Sequence, residues 1–228
     1  MRVCVFGATG DIGGAIAQEL SGLGHEVIRC GRHMKEDRGS SACSDLAIVD
    51  TSSLARLRCS ASEILSTAKV DCVINAIGLG RSSLSPPTFV PVPTADLTMA
   101  EWEELIYVNL KVPIMLTRLA QKFNIAKVIH VGSALTPRGM RGAAMSQAYS
   151  SSKMGLAAYC KAVNIIHDES MSISCVAPGL VKTRMTEGSG LQSLFDGHIS
   201  IETVARHIAD STRSNVSSLS VLLPSPGY

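Results

Sequence analysis

Two residues that could together move a proton stand four positions apart, Tyr149 and Lys153, in the run Tyr-Ser-Ser-Ser-Lys. In a helix, this spacing places both side chains on one face. An ammonium group near a phenol stabilises the phenolate, so the pair is suited to proton transfer. Such pairs are common and usually inert, so the polar residues that accompany this one decide its meaning.

Several accompanying residues could complete a site around the pair. Ser133 directly follows an apolar strand, Asn109 lies inside a predicted helix, and Pro178-Gly179 follows another apolar strand, with Thr183 soon after. Each has an ordinary structural explanation: a serine can end a strand, a buried asparagine can be satisfied by backbone, and a threonine can cap a helix. The whole set is harder to explain in that way, so we predict that these residues meet in one catalytic site.

A glycine-rich turn, Gly7-Ala-Thr-Gly10-Asp-Ile-Gly13, lies between the first predicted strand and the first predicted helix. In such a turn one glycine permits the tight bend, one lets the backbone approach a pyrophosphate, and one allows close packing of helix on strand. The helix N-terminus offers N–H groups to the phosphates. Asp11 is unfavourable beside phosphates unless it points outward or caps the helix. The predicted dinucleotide contacts here are Gly7, Thr9, Gly10, Asp11, Ile12 and Gly13.

The end of the second strand indicates which dinucleotide is bound. NAD-preferring folds place a carboxylate there for the ribose hydroxyls, but this strand ends Cys30-Gly31-Arg32-His33. A guanidinium can bind a 2′-phosphate through two parallel hydrogen bonds. Arg32 could also be an ordinary solvated arginine. The absence of a carboxylate and the presence of Arg32 both favour a 2′-phosphate, so we predict NADP(H).

The elements that must hold these residues alternate between strand and helix. Apolar strands are predicted at 2–6, 26–30, 70–77, 127–131, 172–177 and 218–223, and helices at 15–23, 54–68, 98–123, 148–167 and 201–212. This alternation is typical of the α/β Rossmann fold, a doubly wound, mostly parallel sheet in three layers with helices on both faces. The 228 residues, 46% of them hydrophobic, predict one domain over 1–228 with no dividing linker.

Composition argues against several other classes. The net charge of +2 disfavours a nucleic-acid or membrane binder. The seven cysteines are odd in number and form no Cys-x-x-Cys pair, so neither a disulfide framework nor a metal site is predicted. No signal peptide and no run of about 20 apolar residues is found, which favours a cytoplasmic protein.

The motifs resemble, in their order along nearly the whole chain, the short-chain dehydrogenase/reductase family in its classical Tyr-x-x-x-Lys form. The matching segments are Asn75-Ala-Ile-Gly78, Trp102 to Asn109, Gly132-Ser133, Tyr149 with Lys153, and Pro178-Gly179 to Thr183. The glycine spacing departs from this form, because it is the one found in extended and atypical members. Gly132 also replaces the first serine of the family's Ser-Ser pair.

The resemblance implies a catalytic group of Tyr149, Lys153, Ser133 and Asn109. Tyr149 would transfer the proton, while Lys153 would lower the tyrosine pKa and bind the nicotinamide ribose. Lowering a pKa of about 10 by ~2–3 units takes roughly 3–4 kcal/mol, which an ammonium at ~4 Å can supply. Ser133 would orient the substrate oxygen, and Asn109 would hold a water that links Lys153 to solvent.

The resemblance also implies further cofactor contacts, with Thr183 against the nicotinamide carboxamide. Besides Tyr149 and Lys153, they are Asn75, Ala76, Gly78, Pro178, Gly179, Val181 and Thr183. Either Asp45-Leu46 or Asp50-Thr51 would touch the adenine ring, and the sequence leaves both open.

The implied activity is NADPH-dependent reduction of a small carbonyl compound to an alcohol, or the reverse. Family members commonly form homodimers or homotetramers through the helices that here carry Asn109 and Tyr149. Three loop segments could line the substrate pocket: residues 184–198, residues 79–98, and Met140 with Met145. A non-catalytic NADP(H)-binding regulator and an epimerase or dehydratase of the extended type are the alternatives. A regulator would not require Tyr149, Lys153, Ser133 and Asn109 together. Enzymes of the extended type normally have a longer C-terminal substrate region than this chain.

Overall fold

The structure is a computed structural model of the chain and describes residues 1–31, 46–50, 53–80, 97–134, 147–166, 171–186, 198–214 and 217–223. The strands in these residues are Arg2–Phe6 (β1), Glu26–Gly31 (β2), Leu46–Ile48 (β3), Cys72–Asn75 (β4), Lys127–Val131 (β5), Ser172–Pro178 (β6) and Leu219–Leu222 (β7). The helices are Asp11–Gly22 (α1), Leu54–Thr67 (α2), Met99–Ile106 (α3), Val112–Lys122 (α4), Gln147–Ile166 (α5) and Ile201–Ser211 (α6).

The described strands form one sheet in the order β3-β2-β1-β4-β5-β6-β7, and every neighbouring pair is parallel. From β1 the chain builds towards β3 on one side and resumes at β4 on the other. The switch point therefore lies between β1 and β4, where Phe6 pairs with Asn75. Open sheets of this kind bind ligands outside the carboxyl ends of the strands at such a point. The predicted doubly wound parallel sheet is confirmed.

Helices cover both faces of the sheet. On one face, α2, α4 and α5 bury Leu57, Leu116 and Leu156. On the other face, α1 and α6 bury Ile16 and Ile208. Strands β4 and β5 are buried along their whole length, as expected for parallel strands between two helical layers. The three-layer arrangement agrees with the prediction, while the assignment of 1–228 to a single domain stays a prediction.

The helix predicted at 98–123 is correctly placed at its start but is not continuous. Thr98 and Glu101 form a capping box at this start, in which Glu101 Oε2 accepts from the Thr98 backbone N–H at 2.7 Å. A π-helical turn, Tyr107–Lys111, then separates α3 from α4, and the Val112 N–H donates to the Tyr107 carbonyl. Such turns are frequent at functional sites. This one carries Asn109.

The described residues also bear on membrane insertion, metal binding and disulfide bonds. None of their helices is long and apolar enough to cross a membrane, and no three His, Cys, Asp or Glu side chains there are grouped as metal ligands. The cysteines in these ranges are free thiols.

Candidate active site

The glycine-rich turn packs tightly against the end of β4. Gly7 has φ +85°, and a Cβ at this position would lie 2.8 Å from the backbone nitrogen of Ile77. A Cβ on Gly13 would lie 2.2 Å from the Gly7 carbonyl oxygen. Gly7 requires a left-handed backbone conformation, and both Gly7 and Gly13 lie where a side chain has no room. These two glycines therefore bring α1, β1 and β4 together at the switch point.

The N-terminus of α1 fits a pyrophosphate. Gly10 is its N-cap and makes no side-chain capping bond, so no side chain occupies that position before the first N–H groups of the helix. The Gly7 and Ala8 N–H groups donate to the Cys30 carbonyl at 2.9 and 3.0 Å, which fixes the turn against β2. Backbone N–H groups at an open helix N-terminus are a ready anion site.

Asp11, the first residue of α1, does not cap the helix but pairs with Arg184. The Arg184 Nε donates to Asp11 Oδ1 at 2.6 Å, and the Arg184 backbone N–H donates to Oδ2 at 2.7 Å. The sequence left open how a carboxylate could be tolerated beside phosphates. The structure provides the answer, since a guanidinium neutralises it.

The segment after β4 is held by two asparagines. Asn75 Oδ1 accepts from the Ile77 N–H at 3.2 Å. Asn109 donates through Nδ2 to the Leu79 carbonyl at 2.8 Å and accepts through Oδ1 from the Leu79 N–H at 2.9 Å. The fully buried Asn109 amide thus positions this segment beside Lys153. The water relay implied by the family resemblance stays a prediction.

A chain of buried polar side chains lies behind Asn75, and no sequence pattern indicated it. Asn75 Nδ2 lies 3.3 Å from His130 Nδ1, and His130 Nε2 lies 2.8 Å from Thr117 Oγ1. Thr117 Oγ1 donates to the Pro113 carbonyl at 3.1 Å, so it accepts from His130 Nε2, and Nδ1 accepts from Asn75. Burial and the nearby Lys153 lower the His130 pKa to about 3, so the ring is neutral. The chain joins α4, β5 and β4 behind the site.

Lys153 lies in a buried position at the end of β5. Lys153 is only 4% exposed, and its Nζ donates to the Val131 carbonyl at 2.9 Å. A Cβ built on Gly78 would lie 3.5 Å from Lys153 Nζ and 3.7 Å from Asn109 Oδ1, so three predicted site residues meet here. Burial lowers the Lys153 pKa to about 8. The ammonium is therefore readily deprotonated compared with an ordinary lysine.

Tyr149 meets both Ser133 and Lys153. Lys153 Nζ lies 5.9 Å from the centre of the Tyr149 ring. Burial raises the Tyr149 pKa, and a hydrogen bond from Ser133 acts in the lowering direction. In this structure burial outweighs the stabilising contacts, and the group that opposes it is Ser133. That Lys153 lowers the Tyr149 pKa stays a prediction.

The strand β6 and the turn after it close the other side of the site. The Ala134 N–H donates to the Pro178 carbonyl at 2.8 Å, and the Gly179 N–H donates to Leu222 at 2.7 Å. Val181 forms an isolated parallel bridge with Ile199. Thr183 is held by Thr186, whose Oγ1 accepts from the Thr183 N–H at 3.0 Å. Thr186 Oγ1 also donates to the Val181 carbonyl at 2.9 Å, so it ties this turn together, and no sequence motif indicated it.

The adenine-side residues stay predictions. Arg32 and Asp45 lie outside the described residues. Leu46 begins β3, at the end of the strand opposite to the ligand crevice, whereas Asp50 follows its carboxyl end. The Arg56 guanidinium donates to Asp50 Oδ2 at 3.2 Å. Strand direction therefore favours Asp50 over the pair Asp45-Leu46.

The fold and this group of side chains define a Rossmann-type domain in which a half-buried Tyr149 lies beside a buried Lys153 at the carboxyl ends of the strands. Comparison with known proteins identifies relatives of the same type. A sequence model described as short chain dehydrogenase matches residues 1–193. The 3-oxoacyl-(acyl-carrier-protein) reductase FabG of Rickettsia prowazekii is 26% identical over 189 residues, covering 80% of this chain and 73% of that protein.

Solved structures show the same fold. A short chain dehydrogenase from Burkholderia cenocepacia in complex with NADP aligns with a TM-score of 0.77 at 20% identity, covering 97% of this chain and 95% of that one. A short-chain dehydrogenase from Sphingobium yanoikuyae in complex with NADPH gives 0.76 at 16% identity, covering 96% and 87%.

This chain belongs to the short-chain dehydrogenase family. It is therefore an oxidoreductase of a family that binds nicotinamide cofactors.

Proposed function

We propose that the protein is an NADPH-dependent reductase that converts a small carbonyl compound to an alcohol, with Tyr149 as the general acid. The observation that carries this proposal is the meeting of Tyr149 with the buried Ser133 and Lys153 at the end of β5. A regulator that only binds the cofactor would not require this arrangement.

The chain's own residues account for the proton. The nicotinamide cofactor supplies the hydride when it is bound. Ser133 hydrogen-bonds and orients the substrate oxygen, and the Tyr149 hydroxyl gives that oxygen its proton. Lys153 binds the nicotinamide ribose and, when charged, stabilises the phenolate that remains. The proton that Tyr149 loses returns from solvent, and Asn109 is our candidate for the relay.

A protonated Tyr149 is compatible with the reductive direction. Burial keeps the phenol protonated near neutral pH, which is the state that a proton donor needs. Oxidation of an alcohol would instead require a phenolate at the start. Ser133 and a charged Lys153 then lower the free energy of forming that phenolate during the reduction.

The cofactor preference rests on Arg32, which follows β2 and is our candidate for the 2′-phosphate. The complexes of the Burkholderia and Sphingobium relatives with NADP and NADPH support this preference. We place Asp50 near the adenine, since it follows the carboxyl end of β3.

We also propose a cytoplasmic homo-oligomer. Free thiols at every described cysteine suit a reducing compartment. Met154, Ile165 and Ile166 on α5 are each more than half exposed, which suits contact with a second copy. Light scattering during size-exclusion chromatography would measure the mass, and a monomer at micromolar concentration would contradict the oligomer.

The test of function follows NADPH absorbance with a panel of ketones, aldehydes and imines. We expect turnover with at least one carbonyl substrate and a loss of about 10²–10⁴-fold in Tyr149→Phe. Equal turnover in that variant would remove the catalytic assignment. NADPH binding without turnover of any compound would favour the regulator. Equal affinity for NADH and NADPH, unchanged by Arg32→Ala, would remove the NADPH preference.

A further inference from the structure

Arg184 reaches from the turn at residues 183–186 across to the glycine-rich turn. Its Nη2 lies 2.5 Å from Asp11 Oδ1, and Nη2 also donates to the Thr9 carbonyl at 3.3 Å. With the Nε and backbone bonds to the Asp11 carboxylate, two segments 173 residues apart are joined by a network of bonds. The guanidinium is therefore fixed beside the open N-terminus of α1.

The arrangement leaves part of the guanidinium available. The Arg184 side chain is 56% exposed, whereas that of Asp11 is 22% exposed. Its bonds to Asp11 and Thr9 use Nε and Nη2, and within the described residues Nη1 has no acceptor. Arginine presents its donors in a rigid planar fork, so holding one edge sets the direction of the other.

Stabilisation of the fold is a weak explanation for this network. Exposed ion pairs typically contribute about 0–1 kcal/mol. A carboxylate at the first position of α1 would repel an incoming pyrophosphate, so the pair changes the charge at that place from negative to neutral. The free edge of Arg184 then adds a donor whose positive charge faces outward, next to uncapped backbone N–H groups.

We propose that Arg184 is a further cofactor-binding residue, which Asp11 orients so that its free Nη1 edge binds the pyrophosphate of the dinucleotide. This inference rests on the proposed NADP(H) function. It assigns Asp11 a positioning role rather than direct contact with the cofactor. It also couples the turn that carries Thr183, at the nicotinamide end, to the phosphate end of the site.

The test measures dissociation constants by titration calorimetry for three probes: NADPH, ADP-ribose, and adenosine 2′-monophosphate. ADP-ribose has the pyrophosphate but no nicotinamide, and adenosine 2′-monophosphate has neither. For Arg184→Ala we expect about 10- to 100-fold weaker binding of both NADPH and ADP-ribose, as for loss of a charge-assisted hydrogen bond. Binding of adenosine 2′-monophosphate should not change. Arg184→Lys, which keeps the charge but lacks the fork, should lie between.

Two controls separate this contact from other effects. Arg118→Ala removes an exposed arginine on α4, on the opposite face of the sheet from α1, and should leave all three constants unchanged. Asp11→Asn removes the charge but keeps Oδ1, which can still accept from the Arg184 Nε and orient the guanidinium. In that background, Arg184→Ala should therefore still weaken ADP-ribose binding at least about 5-fold. If the effect disappears there, Arg184 only neutralises Asp11 and the proposal is overturned.

Failure of the inference and failure of the function give different results. Unchanged NADPH and ADP-ribose binding in Arg184→Ala, with tight binding by the wild type, overturns the inference alone. Loss of NADPH binding with unchanged ADP-ribose binding also overturns it, because Arg184 would then act on the nicotinamide half. If the wild type binds neither probe, the NADP(H) function and the inference fall together. Thermal melting of Arg184→Ala and Arg184→Lys confirms that both variants fold.

Discussion

Asn75 and His130 stand directly opposite each other on β4 and β5, and Asn75 Nδ2 lies 3.3 Å from His130 Nδ1. Asn75 Oδ1 accepts from the Ile77 N–H, while the Nδ2 end of the same amide is held by the histidine. His130 is fully buried and is held in turn by Thr117. A neutral histidine therefore holds Asn75 at the switch point of the sheet.

The first prediction concerns acid stability. The His130 pKa is lowered to about 3 in the folded chain, against about 6.5 when unfolded. Between these values the unfolded chain binds a proton that the folded chain does not, so stability decreases as pH falls from about 6.5 towards 3. The contribution is up to about 1.4 kcal/mol per pH unit. Urea unfolding at pH 7, 6, 5 and 4 should show a shallower pH dependence in His130→Gln than in the wild type.

The matched control for this prediction is His198→Gln, since His198 is exposed. Its pH dependence should follow that of the wild type. Parallel curves for wild type and His130→Gln would mean that His130 is not held neutral.

The second prediction concerns Gly132, which stands where the family commonly has serine. A Cβ at 132 would lie 2.7 Å from Cys175 Sγ, so a side chain cannot enter without displacing the sulfur. We expect Gly132→Ser to lower the free energy of unfolding by about 1–3 kcal/mol, as for overpacking of a core. Adding Cys175→Ala should recover most of that loss, and a double-mutant cycle from urea unfolding would measure the coupling. Additive effects of the two substitutions would contradict the steric explanation.

The third prediction concerns the buried charge of Lys153, whose pKa is lowered to about 8 by burial. Between about pH 8 and 10.4 the folded lysine is neutral while the unfolded one is still charged, so its contribution to stability rises with pH there. Below about pH 8 both are charged and the full cost of burial applies. The wild type should therefore gain stability relative to Lys153→Met by up to about 1.4 kcal/mol per unit between these values.

Lys153→Met should also lose about 100-fold or more in kcat/KM, because it removes the ribose contact and the charge beside Tyr149. The control is Lys161→Met, on the exposed side of the same helix, which should change neither property. An equal pH dependence of stability in wild type and Lys153→Met would contradict the buried-charge explanation.

The fourth prediction concerns Ser133. Its hydrogen bond opposes the rise of the Tyr149 pKa, so Ser133→Ala should raise that pKa further. The alkaline limb of kcat/KM against pH should move to higher pH, and kcat should fall, since the substrate oxygen also loses its partner. Ser151→Ala, an exposed serine on α5, is the control. A fall in kcat with an unmoved alkaline limb would mean that Ser133 acts on the substrate alone.

Local patterns predicted much of this architecture. The alternation of apolar strands and helices, the capping box at Thr98 and the turn from Gly7 to Gly13 each depend on neighbours within a few residues. The π-helical turn at Tyr107–Lys111 was missed because its sequence continues an ordinary helical pattern. Its Asn109 is held by hydrogen bonds to Leu79, a residue 30 positions away that no local pattern specifies.

The sequence by itself determined the fold class, the dinucleotide turn and the pairing of Tyr149 with Lys153, since helical periodicity and glycine geometry are local properties. Tertiary structure decided what these residues experience. Burial, which no local pattern specifies, raised the pKa of Tyr149 and lowered that of Lys153. Contacts between distant segments decided the partners: His130 behind Asn75, 55 residues away, and Arg184 on Asp11, 173 residues away. Such pairs form only because parallel strands bring their carboxyl ends to one edge of the sheet.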